Sequence, residues 1–556
     1  MSVDENQLEN GQLLSSENEA SSPFKESIPS RSSLYLIALT VSLLGVQLTW
    51  SVELGYGTPY LFSLGLRKEW TSIIWIAGPL TGILIQPIAG ILSDRVNSRI
   101  GRRRPFMLCA SLLGTFSLFL MGWAPDICLF IFSNEVLMKR VTIVLATISI
   151  YLLDMAVNVV MASTRSLIVD SVRSDQQHEA NSWAGRMIGV GNVLGYLLGY
   201  LPLYRIFSFL NFTQLQVFCV LASISLVLTV TITTIFVSER RFPPVEHEKS
   251  VAGEIFEFFT TMRQSITALP FTLKRICFVQ FFAYFGWFPF LFYITTYVGI
   301  LYLRHAPKGH EEDWDMATRQ GSFALLLFAI ISLAANTALP LLLEDTEDDE
   351  DDEEDESSDA SNNEYNIQER NDLGNIRTGT NTPRLGNLSE TTSFRSENEP
   401  SRRRLLPSSR SIMTTISSKV QIKGLTLPIL WLSSHVLFGV CMLSTIFLQT
   451  SWQAQAMVAI CGLSWACTLW IPYSLFSSEI GKLGLRESSG KMIGVHNVFI
   501  SAPQVLSTII ATIVFIQSEG SHRDIADNSI AWVLRIGGIS AFLAAYQCRH
   551  LLPINF

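Results

Sequence analysis

Apolar stretches of about 20 residues recur along this chain from Leu34 to Leu552, and they constrain its fold more than any other feature. A helix of that length crosses a bilayer and satisfies its own backbone hydrogen bonds without water. Of the residues, 48% are hydrophobic and only 16% are charged, which does not suit a soluble enzyme. We therefore predict an all-α membrane protein with twelve transmembrane helices near residues 34–56, 70–92, 105–125, 141–164, 185–205, 214–237, 276–302, 321–343, 426–448, 452–476, 490–516 and 530–552.

The net charge of -8 comes from one segment. Residues 344–424 hold 19 acidic and 10 basic side chains, so the rest of the chain is close to neutral. The run EDTEDDEDDEEDE, Glu344 to Glu356, is typical of a solvated, self-repelling coil. The first 33 residues are also polar, and they lack the basic start and the cleavage site of a signal peptide. We expect both segments to be disordered.

Basic residues indicate the orientation in the membrane. Five arginines crowd between the second and third stretches, whereas the loop between the ninth and tenth has no charge. Because cytoplasmic loops retain Lys and Arg, this pattern predicts that both termini are cytoplasmic. The predicted organisation is a tail (1–33), a six-helix half (34–237), a central loop (238–275), spans 7 and 8 (276–343), an acidic cytoplasmic loop (344–424), spans 9 to 12 (425–552) and a short C-terminus (553–556).

An internal repeat relates the two halves. RMIGVGNV, from Arg186 to Val193, recurs as KMIGVHNV, from Lys491 to Val498, and six of the eight positions are identical. The two copies lie at corresponding places in spans 5 and 11. Parallel six-helix repeats are the arrangement of the major facilitator fold, in which the substrate site lies between the halves near the bilayer midplane.

The segment GILSDRVNSRIGRRRPF, Gly90 to Phe106, combines glycines, an Asp-Arg pair and an arginine cluster. Charge-assisted hydrogen bonds from such a segment can latch neighbouring helices at the cytoplasmic side. We assign to this gate motif Gly90, Asp94, Arg95, Gly101, Arg102, Arg103 and Arg104.

These residues resemble the sucrose and α-glucoside:proton symporters, a group within the glycoside-pentoside-hexuronide:cation symporters of the major facilitator superfamily. RxGRRRPF is its most specific match. Other matches are GVQLTW, TPYLFSLGL, WIAGPLTGILIQPIAG, LLDMAVN, TRSLIVD, FFAYFGWFPFLF and GVHNVFISAPQ, and the long loop between spans 8 and 9 is similar to that of fungal members. The resemblance implies proton-coupled import of maltose or sucrose by a monomer in the plasma membrane, with a vacuolar or other internal membrane as the alternative. It implies no cofactor.

Span 4 carries the clearest candidates for coupling. Asp154, Asn158 and Arg165 recur at helical spacing on one stripe, with the two charges about 16 Å apart along the axis. Charged groups inside a membrane mark substrate or proton pathways, so we expect this stripe to face a central cavity. The resemblance implies that Asp154 accepts the proton and that Arg165 contacts the sugar. The competing interpretation is that both are structural.

Further candidates come from span 1 and from the aromatic residues. Glu53 is a second intramembrane carboxylate, and Gln47 and Trp50 precede it at spacings of three. Sugars bind to flat aromatic faces and to convergent hydrogen-bonding groups. We therefore predict proton coupling at Asp154 and Glu53, and substrate binding by Arg165, Asn158, Gln47, Trp50, Trp287 and Tyr473.

Two departures from the plant pattern leave the sugar open. The plant motif FDTDWMG is replaced by Tyr293 to Gly299 without its aspartates, and Lys68 stands where plant members have histidine. Maltose is therefore as plausible a substrate as sucrose.

Other functions compete with symport. The chain could be a uniporter or an exporter of the same fold, or a sugar receptor that does not transport. An enzyme is not predicted, because the spans hold no nucleophile paired with a base and no cluster of metal ligands. Nothing in the sequence points to nucleic acid.

Overall fold

The structure is a computed structural model, and it describes residues 30–96, 98–173, 176–239, 250–305, 312–343, 422, 424–483, 489–518 and 528–552. The predicted tail before residue 30, nearly all of the acidic loop and the last four residues lie outside these ranges.

Twelve long helices account for most of the described chain. They lie where the apolar stretches predict them, although several begin or end beyond the apolar stretch. Their bounds are α1 (Ser33–Ser63), α2 (Lys68–Ile74 and Ala77–Arg95), α3 (Arg104–Ile131), α4 (Glu135–Ser171), α5 (Gln177–Tyr200), α6 (Gln214–Phe236), α7 (Phe271–Leu303), α8 (Glu312–Ala338), α9 (Leu427–Ser444), α10 (Ser451–Lys482), α11 (Ser489–Gln517) and α12 (Ser529–Cys548).

Eleven helices of the described chain are long and apolar enough to cross a membrane. The remaining long helix is α5, whose polar residues, including Glu179, Arg186 and Asn192, reduce its hydropathy. It is 24 residues long and occupies the place of the fifth span. The prediction of an all-α membrane protein is confirmed.

The two halves repeat the same helix pairings. In the first half, α1 packs against α5 and α6, and in the second half α7 packs against α11 and α12. Each pair in the first half therefore recurs six helices later in the second. This is the parallel relation that the repeated octapeptide predicts.

Glycines on α5 allow it to approach α1 closely. A Cβ on Gly191 would lie 2.7 Å from the carbonyl oxygen of Leu44, and one on Gly195 would lie 2.3 Å from the Ser51 Oγ. Small residues at such contacts are typical of helix packing in membranes. The backbone of α1 is therefore held directly against α5.

Several hydrogen bonds cross between the halves at one end of the bundle. We call the end at which α1 begins the proximal end, and the opposite one the distal end. At the distal end the Thr58 Oγ1 donates to the Phe292 carbonyl (2.6 Å), and the Tyr293 hydroxyl donates to the Ser72 Oγ (3.0 Å). The Arg319 Nε also donates to the Tyr200 carbonyl (2.7 Å). These bonds connect α1, α2 and α5 with α7 and α8.

The central loop contains an amphipathic helix, Val251–Ala268, that was not predicted. The Ser250 hydroxyl caps its start by accepting from the Gly253 N–H. The helix packs against α2 and α11, and Phe256 on it is 74% exposed. The segment is short and carries charges, so its hydropathy does not mark it as a span.

Among the described residues, those up to 336 and from 428 onward form one compact unit, and those between 337 and 427 belong to a second. Of this second unit the structure describes 337–343, 422 and 424–427. Within it the Ile422 N–H donates to the carbonyl of Leu342 (3.0 Å).

Gly191→Ala is predicted to destabilise the bundle. Its new methyl group would overlap Leu44 of α1, and overpacking of this kind costs about 1–3 kcal/mol. Gly185→Ala is the matched control, because it lies on the same helix and a Cβ there meets nothing within 4 Å. Thermal unfolding of the purified protein in detergent measures both variants. Equal melting temperatures for the two would contradict the packing role of Gly191.

Candidate functional site

Two buried carboxylates lie in the middle of the first half. Glu53 on α1 and Asp154 on α4 are each 1% exposed. Within the described structure, none of their four carboxylate oxygens has a hydrogen-bond partner. Buried charges in proteins are normally paired or hydrogen-bonded, so this pair is unusual.

The two carboxylates are within electrostatic reach of each other. Gly78 of α2 lies beside Asp154, since a Cβ placed on this glycine would lie 3.8 Å from both oxygens of that carboxylate. Two ionised carboxylates in an apolar site repel each other and lose their hydration. A proton held by the pair would remove most of that cost.

A short π-helical turn, Glu53–Gly57, places Glu53 within α1. Turns of this type widen a helix locally and occur often at functional sites. Trp75 packs against the same turn, since a Cβ on Gly57 would lie 2.5 Å from its ring. Apart from Gly55 and Gly57, no sequence pattern marks this turn.

Asn158 has its hydrogen bonds satisfied within the first half. Its Nδ2 donates to the Thr81 Oγ1 (3.0 Å) and to the carbonyl of Asp154 (2.8 Å), and its Oδ1 accepts from the Gln86 Nε2 (2.7 Å). These bonds fix α4 against α2 beside the carboxylates. Asn158, predicted to contact sugar, therefore has a structural role in this conformation.

Arg165 lies apart from the carboxylates and faces the second half. Its side chain is exposed, and it is within electrostatic reach of the hydroxyls of Tyr473 on α10 and Tyr284 on α7. Tyr473 is 37% exposed. The structure thus brings together Arg165 and Tyr473, two of the predicted substrate residues, from opposite halves.

The other three predicted substrate residues are more enclosed. Gln47 is buried beside Gly191, and Trp50 is partly exposed with no partner for its indole N–H in the described structure. Trp287 is fully buried, stacked on Phe438 at 3.9 Å between ring centroids. Both faces of Trp287 are needed for packing among aromatic residues, so no face is free for a sugar in this conformation.

A cavity opens between α5, α8 and α10. The space free of atoms there is about 310 Å³, a figure that includes open solvent at its mouth, and the enclosed part has room for only a few water molecules in this conformation. Its lining combines the indole of Trp465 with polar side chains, and the Asn192 Oδ1 has no partner in the described structure. The other lining residues are Gly185, Ile188, Gly189, Phe328, Ala329, Ser332, Leu333, Asn336 and Leu469.

Trp465 was not among the predicted site residues. It precedes Leu469 and Tyr473 at spacings of four on α10, so the three share one face of that helix. This face extends from the cavity, which Trp465 and Leu469 line, to Tyr473, which lies within electrostatic reach of Arg165. The spacing could have identified Trp465, but many tryptophans in the chain have a neighbour at helical spacing.

The gate motif forms a polar cluster at the proximal end of the first half. Arg102 and Arg103 both contact the Asp170 carboxylate, at 2.7 and 3.4 Å. Arg103 also donates to the Gly90 carbonyl (3.3 Å) and to the Ser93 hydroxyl. The predicted latch therefore joins α2 and α4.

Glu239, just after α6, extends this cluster. Its Oε1 accepts from the backbone N–H of Arg103 (2.7 Å), and Arg104 is within electrostatic reach. Burial raises the pKa of Glu239, and the backbone N–H donors oppose that shift. Gly101 adopts a φ of 116°, which favours glycine. The side chain of Asp94 lies outside the described side chains, and Arg95 is partly buried near the end of α2.

Comparisons with known proteins identify the family. The MFS/sugar transport protein model matches residues 38–301. The general alpha-glucoside permease of Schizosaccharomyces pombe is 99% identical over the full length of both chains. The chain belongs to the family of MFS sugar transport proteins. The predicted resemblance is thereby confirmed, and so is the prediction that the chain is not an enzyme.

More distant members and folds agree with this assignment. Sucrose transport protein SUC4 of Arabidopsis thaliana is 32% identical over 46% of this MFS sugar transporter and 52% of its own length. The structure of the xylose transporter XylE from E. coli in an inward-open conformation aligns with a TM-score of 0.52 and 13% identity, covering 94% of this chain and 96% of that one. A proton-dependent oligopeptide transporter structure aligns with a TM-score of 0.55 and 9% identity, covering 94% and 99%.

Asp170→Asn is predicted to impair this sugar transporter at its proximal latch. The change removes the negative charge that Arg102 and Arg103 share, and losing a charged partner in a partly buried site costs about 1–3 kcal/mol. We expect sugar uptake per molecule in the membrane to fall about tenfold.

The control is Glu135→Gln, which removes a carboxylate from an exposed ion pair with Lys139. Exposed pairs of this kind contribute little, so its uptake should stay near that of the unmodified protein. Uptake of labelled sugar, divided by the amount of transporter in the membrane, measures both. If the two variants behaved alike, the latch would have no role in transport.

Proposed function

We propose that this transporter imports α-glucoside disaccharides together with protons by alternating access. The observation that carries the proposal is the pair of buried carboxylates, Glu53 and Asp154, which have no hydrogen-bond partner among the described residues. The name of the permease at 99% identity supports an α-glucoside, and the sucrose transport proteins among the relatives support a disaccharide. The proposed sugar therefore rests on the names of the relatives, and the proposed coupling to protons rests on the two carboxylates.

The sugar site in this proposal is the cavity between α5, α8 and α10, which widens to take a disaccharide when the halves move. The Trp465 indole offers a flat face to the C–H groups of a pyranose ring, and Asn192 and Ser332 offer hydrogen bonds to its hydroxyls. Arg165 and Tyr473 close the site from its proximal side. Side chains from both halves would contact the sugar, so binding favours states in which the halves approach each other.

The proton site is the carboxylate pair. When water reaches the pair, the ionised form is hydrated and a proton can leave. When the pair is enclosed as it is in this structure, a bound proton removes the repulsion between the two carboxylates. Because the proton and the sugar each favour the enclosed state, each increases the affinity of the transporter for the other.

The proposed orientation puts the proximal end in the cytoplasm. The arginines of the gate motif lie there, and cytoplasmic loops retain such residues. Both termini are then cytoplasmic, and the distal hydrogen bonds of Thr58, Tyr293 and Arg319 form the extracellular closure. We further propose that the protein acts as a monomer in the plasma membrane. In this orientation the central loop (238–275) and the acidic loop (344–424) are both cytoplasmic.

Asp154→Asn and Glu53→Gln are predicted to abolish proton-driven accumulation of sugar. Each substitution removes one of the two carboxylates while nearly preserving side-chain size. We expect accumulation of labelled maltose or sucrose in proteoliposomes under an inward proton gradient to fall at least tenfold, whereas exchange of sugar without a gradient continues. The ratio of the two sugars identifies the preferred substrate.

The control is Asp126→Asn on α3. Its carboxylate accepts from the Gln216 Nε2 (2.7 Å), and the amide oxygen of asparagine can accept the same bond. This variant should accumulate sugar normally. The protein would instead be a uniporter if a protonophore did not reduce sugar uptake by the unmodified protein and if both carboxylate variants took up sugar at the same rate.

A further inference from the structure

His496 on α11 is a buried histidine that belongs neither to the proposed sugar site nor to the proposed proton site. It is 1% exposed, and its ring lies between Tyr473 and Phe476 of α10, with 5.0 Å between ring centroids in both cases. Neither imidazole nitrogen has a hydrogen-bond partner in the described structure. A buried polar group without a partner costs free energy. A side chain that served only to pack against two aromatic rings would not need these nitrogens.

The internal repeat departs from its pattern at this residue. Aligning RMIGVGNV with KMIGVHNV places His496 opposite Gly191, between identical valine and asparagine residues. In the first half that position lacks a side chain because α1 approaches within contact distance. In the second half it carries an imidazole that contacts α10 instead. The common fold therefore does not require histidine at this place.

Tyr473 connects His496 with the proposed sugar site. The His496 ring meets the Tyr473 ring at an interplanar angle of 73°, so it supports the tyrosine from the side. Tyr473 is partly exposed, lies within electrostatic reach of Arg165, and shares a helix face with Trp465 of the cavity. His496 therefore lies next to a residue at the proximal side of the proposed site.

We infer that His496 contributes to sugar affinity: beside Tyr473, an imidazole nitrogen accepts a hydrogen bond from a sugar hydroxyl when the site closes around the substrate. The inference rests on the proposed function and deepens it. It assigns His496 to sugar affinity and leaves proton coupling to the carboxylates of the first half.

His496→Phe tests the inference, because it keeps an aromatic ring and removes both nitrogens. We expect the KM for maltose to rise about five- to tenfold, as for the loss of one hydrogen bond, with the maximal rate nearly unchanged. His496→Gln restores a polar side chain and should recover most of the affinity. Proton-driven accumulation at saturating sugar should persist in both variants.

His435→Phe is the matched control. His435 is also 1% exposed, its Nε2 also lacks a partner in the described structure, and its ring packs on Trp431 of its own helix, α9. We expect its KM to stay within about twofold of the unmodified protein. Equal KM changes in the two phenylalanine variants, or a His496→Phe variant with unchanged KM, would overturn the inference.

Equilibrium binding of maltose to the purified protein separates this inference from the proposed function. Binding by the unmodified protein, weakened five- to tenfold in His496→Phe, supports the inference even if transport proves to be uncoupled from protons. Binding that is equal in the two proteins refutes it. Absence of binding and uptake of any α-glucoside by the unmodified protein would refute the proposed function itself.

Discussion

In the described structure two carboxylates are buried without hydrogen-bond partners, and the helices around them must compensate for the cost of that burial. Glu53 and Asp154 are each 1% exposed, and none of their four carboxylate oxygens has a hydrogen-bond partner within the described structure. Helices α1, α2 and α4 meet there. The π-helical turn of α1 and the hydrogen bonds of Asn158 fix the geometry of these helices. The proposed exchangeable proton would account for such a costly arrangement in a transporter.

The polar contacts at the two ends of the bundle have different roles. At the distal end, hydrogen bonds such as Thr58 to Phe292 cross from one half to the other. At the proximal end, Arg102 and Arg103 bind Asp170 within the first half. The distal bonds must break when the distal side opens, whereas the proximal cluster can move with the first half as a rigid body. The carboxylate pair lies between the two ends, so its access to water depends on which side is open.

The sequence predicted those features that depend on hydropathy and charge. The twelve spans, the repeat and the clustering of the gate-motif arginines follow from such patterns. Other features depend on which helix lies opposite a given residue. Asp154 and Arg165 share a stripe of α4, yet one is buried beside α1 and α2 and the other faces α7 and α10. Likewise, Trp287 is enclosed by aromatic residues of α8, α9 and α10 that no spacing along α7 reveals.

Simultaneous measurement of proton and sugar entry tests the central claim most directly. Maltose added to weakly buffered proteoliposomes should make the external medium more alkaline, with about one proton entering per sugar, because two coupled carboxylates share one exchangeable proton. The Asp154→Asn variant should take up sugar only down its gradient and cause no alkalinisation. Sugar entry by the unmodified protein without any pH change, or alkalinisation that persists in both carboxylate variants, would contradict the account.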